Sequence, residues 1–538
     1  MYDYDIIVVG GGHAGCEAAL AAARMGATAL LLTLGWESIA DMPCNPSLGG
    51  PGKAQIIREI DALGGEMARN IDHAYLQIRL LNTGKGPAVH SLRAQADKDA
   101  YQARMREVLD KEENLAVEVS HVEEILTSRE GQVRGVLTRE GKVYLAPSVI
   151  LATGTYLGGR VYIGDVSYSS GPHGQPASIG LTKILRNLGL QLARFKTGTS
   201  PRIARASINF SNTKQQPGHV LPFGFSYETH GTREDQVLCY LTYTTPKTHD
   251  IIKANLSKAP LYTGAITGRG PRYCPSIETK VMEFPDRQRH QVFLEPETRT
   301  GEIVYLGGLS TSLPKDTQGE IVHSVPGLED AEIVRPGYAI EYDCLVPTEI
   351  SPWLEVKKVP GLFTAGQING TSGYEEAASQ GLIAGINAVL KLRGQEPFVL
   401  GRSEAYIGVL IDDLVTLDLE HHRRAHSGAA ANQCLVLFLR HYDLPSFVWT
   451  RSTTSCGVLA FSSWAKKSGS LKSSTRDCRA LRWLSLSLAL RGNRNLTGSL
   501  SGLPNSTGSL SVTIPTADSS APLSGRACGR ATCSVMTM

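Results

Sequence analysis

The amino-terminal stretch constrains this chain more than any other part of it. Tyr4-Asp5-Ile6-Ile7-Val8-Val9 is a short β-rich run of the kind buried in parallel sheets. It leads directly into Gly10-Gly11-Gly12-His13-Ala14-Gly15. Cys16 to Met25 is Ala-rich and reads as a helix, with Gly26 placed as a helix-terminating residue. Thr28 to Thr33 reads as a second strand. Strand, glycine turn, helix and strand in this order make a βαβ unit, and its crossover requires a parallel sheet.

The spacing Gly10-x-Gly12-x-x-Gly15 gives the turn a chemical meaning. Glycines permit a tight turn and let the backbone approach a pyrophosphate. The helix N-terminus then offers unpaired N–H groups and partial positive charge. A tight turn with no ligand is the plainer alternative, but the βα context favours a dinucleotide site at Gly10, Gly11, Gly12, His13, Ala14 and Gly15. The end of the second strand holds Thr33, with Glu37 the nearest acid, which departs from the simple NAD pattern. Two later strands end in small-residue turns, at Ala152-Thr153-Gly154 and at Phe363-Thr364-Ala365-Gly366-Gln367. The second precedes an Ala/Gly-rich helix, read from Glu375 to Leu392, which suits the far end of a longer cofactor and so points to FAD.

Elsewhere, helical patterns run over about 55–67 and 94–109, and strand-like stretches over 115–126 and 132–145. From about 195 to 350 the chain is strand-rich, as in an inserted domain. No apolar run approaches the ~18 residues of a membrane helix. The start carries no basic n-region, so the expectation is a cytoplasmic protein without a signal peptide. Five of the ten cysteines, Cys16, Cys44, Cys239, Cys274 and Cys344, lie before residue 421, widely spaced with no C-x-x-C, which excludes a disulfide framework or zinc ribbon, fits a reducing cytosol and predicts no metal site; the five nearer the end carry no weight. Cys16, Cys239 and Cys344 read as core residues.

Charge divides the chain. Residues 421–538 carry 14 Lys+Arg, 3 acids and 21 Ser, whereas the preceding part is net acidic. The two parts are therefore read separately.

Two long segments carry a family resemblance. One is Gly270-Pro271-Arg272-Tyr273-Cys274-Pro275-Ser276-Ile277-Glu278-Thr279-Lys280-Val281-Met282-Glu283-Phe284. The other runs from Ala365 to Gly381 (AGQINGTSGYEEAASQG). With GGGHAGCEAA at 10–19, CNPSLGGPGK at 44–53, GPAVHSLRAQADK at 86–98, KTGTSPRI at 196–203, EIVRPGYAIEYD at 332–343 and GVLIDDLVT at 408–416, they resemble the MnmG (GidA) family. That family is the flavoprotein half of the tRNA wobble-uridine carboxymethylaminomethyl-modifying system.

The resemblance implies an α/β fold. A Rossmann-like FAD-binding domain at 1–200 plus 350–416 would hold an inserted β-rich α/β nicotinamide-binding domain at 201–349. It implies FAD on Gly10–Gly15 with further contacts at Val122, Ser178, Gly366 and Gln367, and transient NADH on Gly270–Phe284. It also implies tRNA as substrate, methylenetetrahydrofolate as one-carbon donor, glycine or ammonium as amine donor, an MnmE-type GTPase partner and a homodimer.

The residues suit this chemistry. C5 of uracil becomes nucleophilic only after an addition at C6, and a thiolate is a good candidate for that addition. Cys44 and Cys274 lie in Gly/Pro-rich loops, with Lys53, Arg269 and Arg272 as basic neighbours that lower a thiol pKa. The plainer reading of each is a small buried hydrophobe. Cation clusters at Arg79, Lys85 and Arg93, at Arg194, Lys196, Arg202 and Arg205, and at Arg287 and Arg289 are candidate phosphate contacts or solvated surface. Glu375 and Glu376 suit the N-terminal dipole of the last flavin helix.

After Thr416 the resemblance stops, and Leu417-Asp418-Leu419-Glu420-His421-His422-Arg423-Arg424 stands where the family continues into a tRNA-facing helical region. The expectation is a reading-frame shift near codon 417, a mostly irregular tail and impaired binding of the GTPase. Two other readings remain. One is a shorter folate- and FAD-dependent tRNA uridine-5-methyltransferase; the other is a flavin-binding but catalytically incomplete remnant. A disulfide reductase is disfavoured by the missing redox cysteine pair.

Overall fold

The computed structural model describes residues 2–268, 270 and 275–416. Expectations for Arg269, Pro271, Arg272, Tyr273, Cys274 and the tail 417–538 lie outside these residues.

Five parallel strands form the sheet required by the amino-terminal pattern. Their order is Leu362–Thr364, Ser148–Leu151, Ile6–Val9, Ala29–Thr33 and Leu115–Val119. Ile6–Val9, Ala29–Thr33 and Ser148–Leu151 are buried at every position, which is why they read as continuous apolar runs. The strand order turns back between Ile6–Val9 and Ser148–Leu151, and the carboxyl ends of strands at such a point are where open α/β sheets bind ligands.

The first helix spans His13–Arg24. Gly26 at φ +83° closes it, with its N–H donating to Ala23 and the Ala27 N–H donating to Ala22, a Schellman ending. The long helix Tyr374–Leu392 packs directly on it. Small residues set the separation. A Cβ on Gly381 would lie 2.0 Å from the Ala14 carbonyl oxygen, and one on Gly385 would lie 2.5 Å from that of Ala18.

The other sheets are antiparallel. Ser47–Gly49, Ser91–Ala96 and Tyr75–Leu81 form one, and Val122–Thr127, Val133–Thr138 and Val143–Leu145 a second. A four-stranded sheet has the order Val166–Ser169, Arg160–Ile163, Tyr338–Leu345, Leu192–Thr199. A six-stranded sheet runs Lys214–Gln216, Cys239–Tyr243, Gln291–Pro296, Ile303–Gly307, Arg202–Ala204, Ile333–Arg335. Helices Pro246–Ala254, Ile277–Glu283 and Lys315–His323 contribute to a separate apolar core beneath it, built around Ile252, Ile277, Val281, Leu294, Leu306 and Ile321.

Two local readings are corrected. The helix expected at 55–67 is two helices, Lys53–Ala62 and Met67–Ala74, because Gly64 at φ +86° ends the first. The helix expected from 94 starts at Lys98, capped by the Asp97 carboxylate accepting from the Ala100 N–H at 3.1 Å; Ser91–Ala96 is a strand. No helix among the described residues is long and apolar enough to cross a membrane.

Candidate functional site

A cavity of about 720 Å³ opens at the carboxyl ends of the parallel strands. Its floor is the glycine turn. Gly10 takes φ +111°, and a Cβ there would lie 2.3 Å from the Ala152 carbonyl oxygen. A Cβ on Gly15 would lie 1.7 Å from the carbonyl oxygen of Gly10. Both glycines are therefore required for packing. Gly12 differs: no atom lies within 4 Å of the position its Cβ would take, and it immediately precedes the helix His13–Arg24. Open space at the N-terminus of a helix suits an anionic group.

Val122, Ser178, Gly366 and Gln367 all line this cavity. Gly366 adopts φ +86°, and its N–H donates to the Gln380 side chain at 3.1 Å. Thr33 ends the second strand and donates to the Gly35 carbonyl, while the Glu37 carboxylate accepts from Gln175 at 2.9 Å. The long cavity, the open glycine and the helix terminus fit the pyrophosphate of the FAD that the resemblance implies.

His13 is buried at the start of the helix and stacks on Tyr374, with ring centroids 4.6 Å apart. Burial pulls its pKa down to about 4, opposed by Glu375 and Asp41, so the ring is neutral at ordinary pH. Its Nε2 is buried without a hydrogen-bond partner and the residue lines the cavity.

A second wall of the cavity carries Cys44. Its thiol donates to the Gly198 carbonyl at 3.3 Å and lies 4.0 Å from the Tyr305 hydroxyl. Its backbone N–H donates to the Tyr374 hydroxyl at 3.1 Å. Burial, with Cys44 nearby, raises the phenols of Tyr305 and Tyr374 well above their usual value; Tyr338 is pushed up to about 12, chiefly by burial. All three stay protonated and can donate hydrogen bonds. Asp41, on the same loop, pairs with His173 Nε2 at 3.0 Å. Ala40 and His173 both sit at left-handed φ, 50° and 57°, so strain is concentrated beside this pair.

Lys53 is held by two carboxylates. It bonds Glu375 at 2.8 Å and Glu376 at 2.9 Å, while Glu375 also accepts from the Gly49 N–H at 2.6 Å. Burial opposes charge on all three. Even so, the mutual attraction raises Lys53 and lowers Glu375, whereas Glu376 is raised. These glutamates thus anchor the 44–53 loop as well as standing at a helix start. The cation at Cys44 is Arg202, almost fully buried, which donates to the Pro43 and Cys44 carbonyls at 2.8 Å each.

Of the segment 270–284, Pro275 and Lys280 line the cavity. Gly270 packs near Lys196, and Ser276 caps the helix Ile277–Glu283 by accepting from the Thr279 N–H. Ile277 and Val281 enter the second apolar core, and Glu278 is buried and bonded to the Thr311 hydroxyl. Met282, Glu283 and Phe284 are exposed. The cluster read as surface cations is corrected: Lys196 and Arg202 are buried, and Arg194 pairs with Glu341 and Asp343. Cys16, Cys239 and Cys344 are buried and free, and burial is the main cause that raises each thiol pKa. Sequence reading missed the three tyrosines and Asp41, and gave Arg202 a phosphate-contact role, because their partners at this site are distant in the chain.

Parallel sheet, glycine cradle and apposed helices define a dinucleotide-binding α/β protein. Residues 5–396 match the family model described as glucose inhibited division protein A, and the chain belongs to that GidA family. It is 57% identical over 438 residues to a Bacillus velezensis protein named tRNA uridine 5-carboxymethylaminomethyl modification enzyme MnmG, covering 81% of this chain and 69% of that one. A Lactococcus lactis protein of the same name is 52% identical over 483 residues, covering 89% and 76%. The form II crystal structure of Aquifex aeolicus GidA superposes with a TM-score of 0.74 at 46% identity, covering 81% of this chain and 72% of that one.

Proposed function

We propose that this chain is an FAD-dependent tRNA-modifying enzyme that acts on C5 of the wobble uridine to install a carboxymethylaminomethyl or aminomethyl group. The observation that carries the reading is one cavity joining the Gly10–Gly15 cradle to the Cys44 loop, in a chain of the GidA family. In this reading Gly12 and the helix N-terminus hold the pyrophosphate, with Val122, Ser178, Gly366 and Gln367 along the rest of the cofactor. Flavin supplies the redox chemistry at the one-carbon unit. The Gly270–Phe284 segment would hold NADH, which would supply the reducing equivalents, and methylenetetrahydrofolate, glycine or ammonium and an MnmE-type GTPase would complete a cytoplasmic, homodimeric system.

Cys44 is the nucleophile of choice, with Cys274 as the second thiol. The Cys44 thiolate adds to C6 of uracil, forming an S–C6 bond and placing negative charge on C5 and O4. C5 then bonds to the methylene carbon of the iminium that the folate-borne one-carbon unit forms with glycine or ammonium, and the C=N π pair moves onto nitrogen. Loss of the C5 proton expels the thiolate and restores the C5–C6 double bond. The buried phenols of Tyr305, Tyr338 and Tyr374 shield the thiol and orient it without giving up their own protons.

The divergent sequence after Thr416 stands where the family holds its GTPase-facing and tRNA-facing region. The purified chain is expected to be yellow and to oxidise NADH in a single turnover, yet to leave the wobble nucleoside unmodified in a strain lacking the activity. Replacing residues 417–538 with the matching segment of the Bacillus velezensis relative should restore the nucleoside, and C44A in that chimera should abolish it. A chain that stays colourless after refolding with excess FAD sinks the reading. So does an inactive chimera that is folded and flavin-loaded.

A further inference from the structure

The loop that carries Cys44 has no regular structure on either side of the thiol between Ser38 and Ser47. A nucleophile must nevertheless be held within a fraction of an ångström and a few tens of degrees of its attack geometry. Arg202 supplies the hold. It starts the strand Arg202–Ala204 of the six-stranded sheet, three residues after Thr199 ends the strand of the four-stranded sheet. Its side chain is 1% exposed.

A guanidinium has five N–H donors in a fixed plane. Five acceptors meet it here. Nε donates to Glu297 at 3.1 Å. One terminal nitrogen donates to the Thr199 hydroxyl at 2.6 Å and the Ser200 carbonyl at 3.0 Å. The other donates to the carbonyls of Pro43 and Cys44, both at 2.8 Å. The plane also lies over the Tyr305 ring, 4.9 Å from its centroid, and the Tyr305 hydroxyl is the group 4.0 Å from the Cys44 sulfur. Cys44 Sγ in turn bonds Gly198, on the segment that Arg202 pins through Thr199 and Ser200. One buried side chain thus fixes the backbone of the nucleophile, the strand under its sulfur and the phenol beside it.

We propose that Arg202 is the positioning residue for Cys44, aiming the thiol into the cavity and setting its reactivity through this five-bond clamp. The inference rests on the reading of Cys44 as nucleophile. Lysine cannot replace it, because an ammonium has three donors and no fork. Glutamine keeps two donors and loses the charge. Tyr305, Tyr338 and Tyr374 face the thiol from neighbouring elements, Asp41 stands on its own loop beside Tyr338 and Tyr374, and Glu297 pairs with Arg202, so the charge that Arg202 brings stands among acids and phenols.

The test is the pH profile of iodoacetamide alkylation at Cys44 in the full chain, read by peptide mass spectrometry, for wild type, Arg202→Gln, Arg202→Lys and Thr199→Val. In R202Q the rate at neutral pH should fall on the order of tenfold, with the midpoint displaced upward by about one pH unit. R202K should recover the midpoint in part and the rate little, since it restores charge without the fork. T199V, which removes one of the five acceptors, should give a smaller shift in the same direction and carries the test if R202Q does not fold. A folded, flavin-containing R202Q whose profile superimposes on wild type overturns the proposal, as does an unchanged T199V where R202Q is insoluble. Retained activity of C44A in the chimera would overturn the nucleophile reading alone, because the alkylation profiles still decide the clamp.

Discussion

The two walls of the cavity are built by opposite means. The cradle wall is made by removing side chains: Gly10, Gly15, Gly381 and Gly385 let backbone pack on backbone at separations no Cβ tolerates. The Cys44 wall is made by burying polar side chains, with Lys53, Glu375, Arg202 and Glu297 tying an irregular loop to distant elements. The contrast teaches where each wall is rigid. The first is fixed by sterics, which neither salt nor pH relaxes. The second is fixed by charge and hydrogen bonds, which cost much when one partner is lost.

The largest effect should come from the steric wall. Gly381→Ala places a methyl 2.0 Å from a backbone oxygen of the facing helix, and nothing flexible stands there to yield. It should cost about 3 kcal/mol or more in urea denaturation, or leave no soluble protein. Gly12→Ala is its control: φ is −71° and the space is open, so stability should move by less than about 0.5 kcal/mol while bound flavin falls. Equal stability loss in the two variants breaks the division between packing glycines and a ligand-facing one.

On the polar wall, Glu375→Ala strips Lys53 of its nearest partner and leaves the buried Gly49 N–H unmet. A loss of roughly 2–3 kcal/mol is expected by the same denaturation measurement. An E375A chain as stable as wild type would show that the loop is held by packing instead.

A smaller, pH-dependent effect sharpens the boundary between the walls, where His13 meets Tyr374. The folded pKa is depressed to about 4, so the unfolded chain takes up the proton first. Stability is therefore lost as pH falls from about 6.5 toward 4, by at most about 1.4 kcal/mol per pH unit. His13→Asn should lack that slope whatever its absolute stability. Denaturation midpoints at neutral and mildly acidic pH decide it, and parallel losses in the two proteins would mean that His13 titrates like an exposed imidazole.

What could be read from the sequence follows the same division. Steric demands leave a local trace. The strand Ile6–Val9, the glycine turn, Gly26 at the helix end and the strand Leu362–Thr364 were legible because each depends on neighbours in sequence, and with them the α/β class. Cys16, Cys239 and Cys344 were legible as core for the same reason. The polar wall was not. Lys53 and Glu375 are 322 residues apart, Cys44 and Tyr374 330, and Arg202 and Glu297 95. No window of sequence holds both members of such a pair, so Lys53 and Arg202 were assigned to the wrong tasks. Ser91–Ala96 was misread at its end because its polar, alanine-rich composition has weak strand preference. Pairing on both edges with Ser47–Gly49 and Tyr75–Leu81 decides its conformation.

The interlocked helices His13–Arg24 and Tyr374–Leu392 have a consequence for biosynthesis. The first emerges from the ribosome with its alanine face bare, and the glycine face that covers it is among the last parts of the matched region to be translated. At roughly 10 residues per second the delay is on the order of half a minute. During that interval the nascent amino-terminal segment is a natural client for a chaperone that binds apolar helices.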